Sequence, residues 1–552
     1  MVRDTLALNQ QMNSANFSPI TQIKERLHIV IGTVLGLAGA IAGGLFAVGY
    51  GGNPIKSLML LLGVITMVVA TLRPKTGLHL LLLSSAFLDI IKRLLIVFGM
   101  SSMSDVAGVL AVAPMILIGT FFGTCVLHPI FTKRMLNQGE RRLALVALVI
   151  IGIVLAIGSR NATSLIDLLG SAVNTGAYTL LLPIVFVLYR KSDIDEFKKL
   201  LRFIVFIYAP VAVYGVYQYW FGLSRLEIDY LRSGLTVGGM NLYDIRPRPF
   251  STMSSVHAYA VSMWFMVVIS GYLALRRTSG FRISRWLPVV FCTAVLFSMA
   301  RGTTIMTVAN LLLVRMFKTR KGTLTFYAVA IGAVTTLIAL SQPLLDGLDY
   351  LQSAMPGDKD WQQQAFRLGP LSDRLQGYQG VLLNPRMYTL FGHGASSGEL
   401  ELRYGEEGFS HDSLSQLLYR FGIAGVVLCV SVVVAVMWRL HSGVWRMRDP
   451  ERKKFAAMLV SIVVFILFTH LGGGSYAVFP INLFIWLFLG LAVTVCVRQK
   501  ETEQDPRNRT GRDVLVHPSL GPTLARKEGG KAGLLPGGRT LPGRATPSSR
   551  AS

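Results

Sequence analysis

The segment 412–438, DSLSQLLYRFGIAGVVLCVSVVVAVMW, decides what kind of fold this sequence makes. From Phe421 onward it carries no charged side chain, and its length matches the ~20 residues that an α-helix needs to cross the hydrocarbon core of a bilayer. It runs directly into the basic stretch Arg439–Lys454, the kind of flank that holds a membrane helix by its cytoplasmic end. Comparable apolar runs recur near 27–50, 55–72, 78–98, 105–126, 143–157, 163–189, 199–221, 253–275, 286–300, 302–317, 324–341, 455–471 and 478–497. With 52% hydrophobic residues in a chain of 552, an ordinary soluble domain is excluded. The expected fold is all-α, a polytopic transmembrane helical bundle of about 12–14 helices with a large structured extracytoplasmic loop.

Charge sets the orientation. The formal net charge is +25, and the basic residues gather in alternate short loops: Lys133–Arg142, Arg190–Arg202, Arg276–Arg285, Arg315–Lys321 and Arg439–Lys454. The positive-inside rule makes those loops cytoplasmic and gives them anionic lipid to contact. Basic patches interleaved with aromatic residues are absent from the sequence, so nucleic acid is not an expected partner. Two longer loops, about 222–252 and 341–411, fall on the opposite side. The second contains the turn cluster Pro356-Gly357-Asp358-Lys359-Asp360 and a segment with amphipathic helical character around Trp361–Gln379. A loop of that length with structure of its own is usually functional.

The resulting organisation is a cytoplasmic segment 1–26, a transmembrane domain 27–497 and a tail 498–552. The tail is rich in Gly, Pro, Ser and Arg without hydrophobic periodicity, and is expected to be disordered and cytoplasmic. No cleavable signal peptide is expected, because residues 1–26 are polar and the apolar run from Leu27 lacks a small-residue cleavage site. Cys125, Cys292, Cys429 and Cys496 all lie in apolar runs and read as packing residues rather than disulfide partners or zinc ligands. One span is interrupted by charge. Within 78–98, Asp89, Lys92 and Arg93 would each cost up to about 3 kcal/mol in hydrocarbon unless paired; Asp89 and Arg93, four residues apart, read as a structural ion pair, the stretch as a bent, half-spanning helix, or the charges as a functional polar site.

The polar stretch ahead of the 412–438 run carries Arg374, Asn384-Pro385 and Gly392-His393-Gly394, and ends at His411. The two glycines of Gly392-His393-Gly394 allow the backbone to reverse sharply. His411 then opens the spacing H-D-x9-G-x-x-G, with Gly422 and Gly425 about three helical turns further on, where glycine permits close approach of a neighbouring helix. Upstream, Ser298-Met299-Ala300-Arg301-Gly302 joins two short apolar runs. Taken in order, these segments resemble the O-antigen ligase and O-antigen polymerase superfamily of bacterial membrane glycosyltransferases, over roughly residues 200–497. His411, Gly422 and Gly425 match the ligase pattern H-[N/S/Q]-x9-G-x-x-[G/T/Y], while Asp412 departs from it. The 298–302 segment is similar to S-x-S-R-G, with Ala300 departing, and Arg374 with Asn384-Pro385 and Gly392-x-Gly394 is similar to R…N-P…G-x-G. Polymerase and ligase both stay open.

The resemblance implies a metal-independent, inverting glycosyl transfer without a cofactor. The donor would be an undecaprenyl-pyrophosphate-linked glycan and the acceptor a glycan or a lipid A core, on the periplasmic face of the bacterial inner membrane. Membrane lipids and polysaccharide-assembly proteins are the further partners it implies. Such a reaction needs cations that hold two phosphates as negative charge grows on the leaving group, which arginine does bidentately. Arg246 and Arg248, in Ile245-Arg246-Pro247-Arg248-Pro249-Phe250, read as pyrophosphate ligands on a proline-stiffened segment just before a helix, or as interfacial arginines. Arg301 lies on the outer side, where topology gives no reason for a cation, and reads as a third ligand or a charged turn. Arg374, beside Asp373, reads as a fourth or as half of a local surface pair.

His411 is the expected catalytic residue. With an ordinary pKa of about 6.5 it could take a proton from a sugar hydroxyl, and the alternative is a polar helix-start residue. His257 and His393 read as structural. Asp193-Ile194-Asp195 has the form of a metal-binding D-x-D but precedes a basic amphipathic segment, and reads as a helix cap. A second functional class, an exporter or flippase for lipid-linked oligosaccharide, would share the helix array and the arginines.

Overall fold

The computed structural model describes residues 54–97, 103–131, 136–159, 168, 172–173, 176–233, 248–275, 284–317, 319–339, 389–392, 413–472 and 478–504. The expected span 27–50, the segment 361–379, residues 505–552 of the expected tail and most of the 341–411 loop lie outside these residues, as do Arg246, Arg374, His393 and His411; residues 498–504, expected to belong to a disordered tail, instead continue the last helix. The chain divides into two units, 1–501 and 502–552, and the helices described below belong to the first except for residues 502–504 at the end of the last one.

The described residues are helical throughout their ordered elements, with no strand among them. In chain order the helices are α1 (Pro54–Leu72), α2 (Pro74–Val97), α3 (Met103–Leu110), α4 (Val112–Phe122), α5 (Gln138–Gly158), α6 (Leu181–Tyr189), α7 (Ile194–Phe221), α8 (Arg225–Arg232), α9 (Val256–Ala274), α10 (Trp286–Phe297), α11 (Arg301–Met316), α12 (Arg320–Ala339), α13 (Ser413–Arg446), α14 (Pro450–Gly472) and α15 (Ile481–Gln504). A π-helical turn, Gly123–Leu127, and a short α-helical turn, His128–Phe131, continue α4, and a 3-10 turn, Ala177–Leu180, leads into α6. Among the described residues four stretches, Gly108–Ile130, Ile194–Phe221, Val256–Ala274 and Phe421–Arg446, are long and apolar enough to cross a membrane.

Two helices show the extremes of environment. Helix α9 is apolar around its whole circumference and buried along most of its length, the pattern of a central helix. Its Phe265 ring meets Phe484 at 5.5 Å and Phe488 at 5.4 Å, both on α15, and Trp264 meets Phe465 of α14 at 6.2 Å. Helix α13 instead presents Val427, Leu428, Val434 and Trp438, each more than half exposed. In water such a face would cost about 25 cal/mol per Å²; in hydrocarbon it costs nothing. Packing between helices must then come from close contact rather than from hydrophobic burial. Helix α4 supplies one case, where an added Cβ on Gly119 would stand 2.3 Å from the Met67 carbonyl and one on Gly123 2.2 Å from the Thr71 carbonyl.

The helix array has two distinct ends. At one, Arg190 pairs with Glu140 at 3.2 Å, Lys198 with Glu451 at 2.5 Å and Lys75 with Glu196 at 3.5 Å, while Arg320 lies 5.7 Å over Trp445. These contacts join the basic loops 133–142, 190–202, 315–321 and 439–454. The Asp193-Ile194-Asp195 motif belongs here: Asp193 precedes α7 with extended backbone but makes no side-chain cap bond, and Asp195 pairs with Lys198 at 3.0 Å. The motif takes the helix-start place expected of a cap, with Asp193 at the N-cap position and Asp195 and Glu196 in the first turn. Among the described residues no cluster of His, Cys, Asp or Glu could hold a metal ion.

The positive-inside rule leads to the expectation that the basic end faces the cytoplasm. Reporter fusions at Lys321 and Arg448 should therefore read inside, and fusions at Gly234 and Gly357 outside. Opposite readings at Gly234 and Gly357 would rule out a site shared by the two long loops.

Candidate functional site

The other end of the array is built on the charges that interrupt α2. Asp89, Lys92 and Arg93 are all buried, and the i, i+4 pair expected between Asp89 and Arg93 is not what forms. Asp89 pairs with Lys92 at 3.3 Å, one residue nearer, and its Oδ2 also accepts from the Ser254 backbone N–H at 2.9 Å. Arg93 reaches across the bundle. Its Nη1 donates to the Ser251 carbonyl at 2.5 Å and its Nη2 to the Met253 carbonyl, and Nη1 lies 3.6 Å from Glu227 Oε1. The guanidinium sits 4.4 Å over the Phe250 ring and 5.5 Å over Tyr230.

Glu227 is the anion that completes this arrangement. Ser224 and Glu227 form a capping box at the start of α8, with Glu227 Oε2 accepting from Ser224 N at 2.7 Å. Its other oxygen accepts from Tyr214 Oη at 2.7 Å and from Gln218 Nε2. Gln218 in turn accepts, through Oε1, from the backbone N–H groups of Phe250 at 3.0 Å and Ser251 at 2.6 Å. Ser251 Oγ donates to the Val211 carbonyl at 2.5 Å, and Thr252 Oγ1 to the Ala86 carbonyl at 2.7 Å. Two carboxylates thus meet two cations, and the stretch Phe250–Ser254 is bonded to α2 and α7.

Ser251 has φ of 52°, a left-handed backbone that costs a non-glycine residue about 1–3 kcal/mol and persists only where the surroundings over-determine it. Here they do. Arg248, half-buried, stands two residues ahead of this stretch and is joined to it through Pro249. The sequence reading set it just before a helix, but α9 begins at Val256, capped by Ser255 Oγ accepting from Ala258 N at 3.1 Å. Pro249–Ser255, non-helical and mostly buried, lies between. The anchor of Arg248 is therefore the Gln218–Arg93 cluster and not a helix N-terminus.

Arg301 opens α11. Helix α10 stops at Phe297, short of the expected 300, because Met299 takes φ of 55° and Ala300 a non-helical conformation. Ser298 Oγ donates to the Val295 carbonyl at 2.6 Å and accepts from Ala300 N at 3.3 Å, closing the turn. This junction lies at the same end of the array as the 250–254 stretch, since Tyr219, next to Gln218, stacks on Phe297 at 4.3 Å and Trp220 meets the same ring edge-on at 5.7 Å.

Gly422 brings in the third motif. The sequence reading made it part of a continuous helix, but with φ of 68° and ψ of −173° it breaks α13. Beyond the break the Ile423 and Ala424 N–H groups donate to the carbonyls of Thr389 and Leu390, each at 3.0 Å, which satisfies donors that a helix start otherwise leaves bare. Gly392, the first glycine of Gly392-His393-Gly394, lies beside it: a Cβ on Gly422 would stand 2.4 Å from the Gly392 nitrogen. Two pieces of sequence thirty residues apart thus close on each other. At the basic end, His441 of α13 lies 4.9 Å from Phe317, just past α11, and bonds Tyr327 of α12 at 2.7 Å. Counting back at about 1.5 Å per residue, Arg301 stands about 24 Å above Phe317 and Gly422 about 28 Å above His441, so both reach a similar height.

Comparison with protein-family models, curated proteins and solved structures finds no match to this chain. What bears on function is therefore the residues themselves. Of the predicted site residues, Arg248 and the backbone of Arg301 lie among the described ones, at one end of the array; Arg246, Arg374 and His411 lie outside them. Sequence reasoning missed Gln218, Glu227 and Ser251. Ser224-x-x-Glu227 is a recognisable capping-box spacing, whereas Gln218, within an aromatic run, carries no local signal.

The break at Gly422 gives a direct test. Gly422→Ala should destabilise the protein by about 1–3 kcal/mol, because alanine resists this φ and its Cβ has no room among the 389–392 backbone atoms. Gly332→Ala in α12, where an added Cβ meets nothing within 4 Å, should be neutral or stabilising by about 0.5–1 kcal/mol. Thermal unfolding in detergent compares the two.

Proposed function

We propose that this chain is a multi-spanning glycosyltransferase of the bacterial inner membrane that polymerises or ligates undecaprenyl-pyrophosphate-linked oligosaccharide during surface polysaccharide synthesis. One observation carries the reading. The segments that resemble the family's motifs, 298–302 and Gly422 with Gly392, share with the Arg248 segment the end of the helix array opposite the basic loops. A site at that boundary suits a substrate whose polyprenyl tail stays in hydrocarbon while its sugars stay in water.

In this reading Arg246, Arg248 and Arg301, with Arg374 from the long loop, hold the pyrophosphate. His411 positions or deprotonates the acceptor hydroxyl, whose oxygen attacks the anomeric carbon from the face opposite the leaving group. The C–O bond to the pyrophosphate breaks, the configuration inverts, and the arginines stabilise the charge left on the departing undecaprenyl pyrophosphate. The lipid carrier enters laterally between helices. Deleting the gene and identifying the lipid-linked glycans that accumulate tests the reading. Single repeats on the carrier indicate a lost polymerase, and full-length chains on the carrier a lost ligase. Material trapped on the cytoplasmic leaflet would overturn the proposal in favour of an exporter.

A further inference from the structure

The last turn of α7 touches both segments that bear the proposed phosphate-binding arginines. Gln218 holds the Phe250 and Ser251 backbone N–H groups at 3.0 and 2.6 Å. Tyr219 stacks on Phe297 at 4.3 Å, immediately before the Ser298–Ala300 junction that leads into Arg301. Adjacent residues of one helix thus fix two loops that are distant in sequence.

Three features point to precise positioning rather than to support alone. Ser251 is held in a left-handed conformation that glycine would adopt without strain, and it is held there by bonds to Gln218, Arg93 and Val211. Pro249 fixes its own φ, so the backbone at Phe250 constrains that of Arg248 next to it. The second junction repeats the device, with Met299 also left-handed, at φ of 55°. The charges that hold the first segment, Asp89 with Lys92 and Glu227 with Arg93, are matched within the protein, so this cluster acts on the loop and not on the substrate.

We propose that Gln218, Arg93 and Ser251 are positioning residues, and that the last turn of α7 sets the spacing between the Arg248 and Arg301 segments so that they grip two linked phosphates at once. The inference rests on the reading of those arginines as pyrophosphate ligands, and it adds how the protein distinguishes a polyprenyl pyrophosphate from a polyprenyl monophosphate. Two cationic segments at a fixed separation gain from the second phosphate only while the separation is kept.

The test uses the full chain in detergent micelles, with farnesyl pyrophosphate and farnesyl monophosphate as binding probes, on wild type, Gln218→Leu and Ser251→Gly. Ser251→Gly removes the strain and the bond to Val211 while allowing the same backbone, so it keeps the test open if Gln218→Leu fails to fold. Wild type should prefer the pyrophosphate. Both variants should lose about tenfold or more of that preference with monophosphate affinity close to wild type; Ser251→Gly should also keep a melting temperature close to wild type, whereas Gln218→Leu, which leaves buried N–H groups without an acceptor, should melt lower. An unchanged preference in a folded variant overturns the spacing role and leaves the arginine assignment standing. A wild type that binds both probes equally, or neither, overturns the pyrophosphate reading itself.

Discussion

Arg93→Met is expected to lower the unfolding free energy by about 3–5 kcal/mol, the usual cost of removing one partner from a buried charge pair. The change strips Glu227 of its cation and leaves the Ser251 and Met253 carbonyls without their donor, in a region where Arg93 and Glu227 are both buried. A double variant, Arg93→Met with Glu227→Gln, should recover much of the loss, because the uncompensated charge is then gone as well. Reversible unfolding in mixed micelles measures both. A loss below about 1 kcal/mol for Arg93→Met would mean that the cluster is solvated and does not anchor the 250–254 stretch.

His411→Ala should reduce turnover by about 10²–10⁴-fold, the usual contribution of general-base assistance, while donor binding is retained. Arg301→Ala should do the reverse, weakening donor binding first, and Arg301→Lys should fall between because it keeps charge but loses the bidentate fork. Measuring donor binding separately from product formation sorts the two roles. Near-normal turnover in His411→Ala would reduce that residue to positioning; unchanged donor affinity in Arg301→Ala would remove its phosphate role.

Apolar length made several helices legible, although four stretches among the described residues, not the fourteen runs expected, are long and apolar enough to cross a membrane. The run expected at 199–221 is α7, which begins earlier, at Ile194, because a polar amphipathic turn with Asp195 and Glu196 extends an apolar helix without raising its hydropathy. The run 412–438 continues to Arg446 for the same reason. Charge patterning also carried over, since Lys198–Glu451 and Arg190–Glu140 join loops that the alternation of basic residues had assigned to one side. What periodicity could not show was where backbone leaves the helix. Gly422, Met299 and Ser251 depart from regular geometry because of distant partners, namely the Thr389 and Leu390 carbonyls at Gly422, the turn at the foot of α10 at Met299, and Gln218 with Arg93 at Ser251. Asp89 offered two cations at helical spacing, and the choice of Lys92 followed from Arg93 being drawn to Glu227, which is distant in sequence.

Together these contacts give a helix array whose basic end is tied by ion pairs and whose opposite end gathers the arginine-bearing and glycine-bearing segments. The most direct test of the glycosyltransferase reading is transfer by the purified chain. Reconstituted in liposomes with undecaprenyl-pyrophosphate-linked oligosaccharide, a glycan or lipid A-core acceptor and a chelator of divalent metals, it should release free undecaprenyl pyrophosphate in step with growth of the acceptor glycan. Movement of the intact donor across the bilayer, with its glycan still attached and no undecaprenyl pyrophosphate released, would contradict the account.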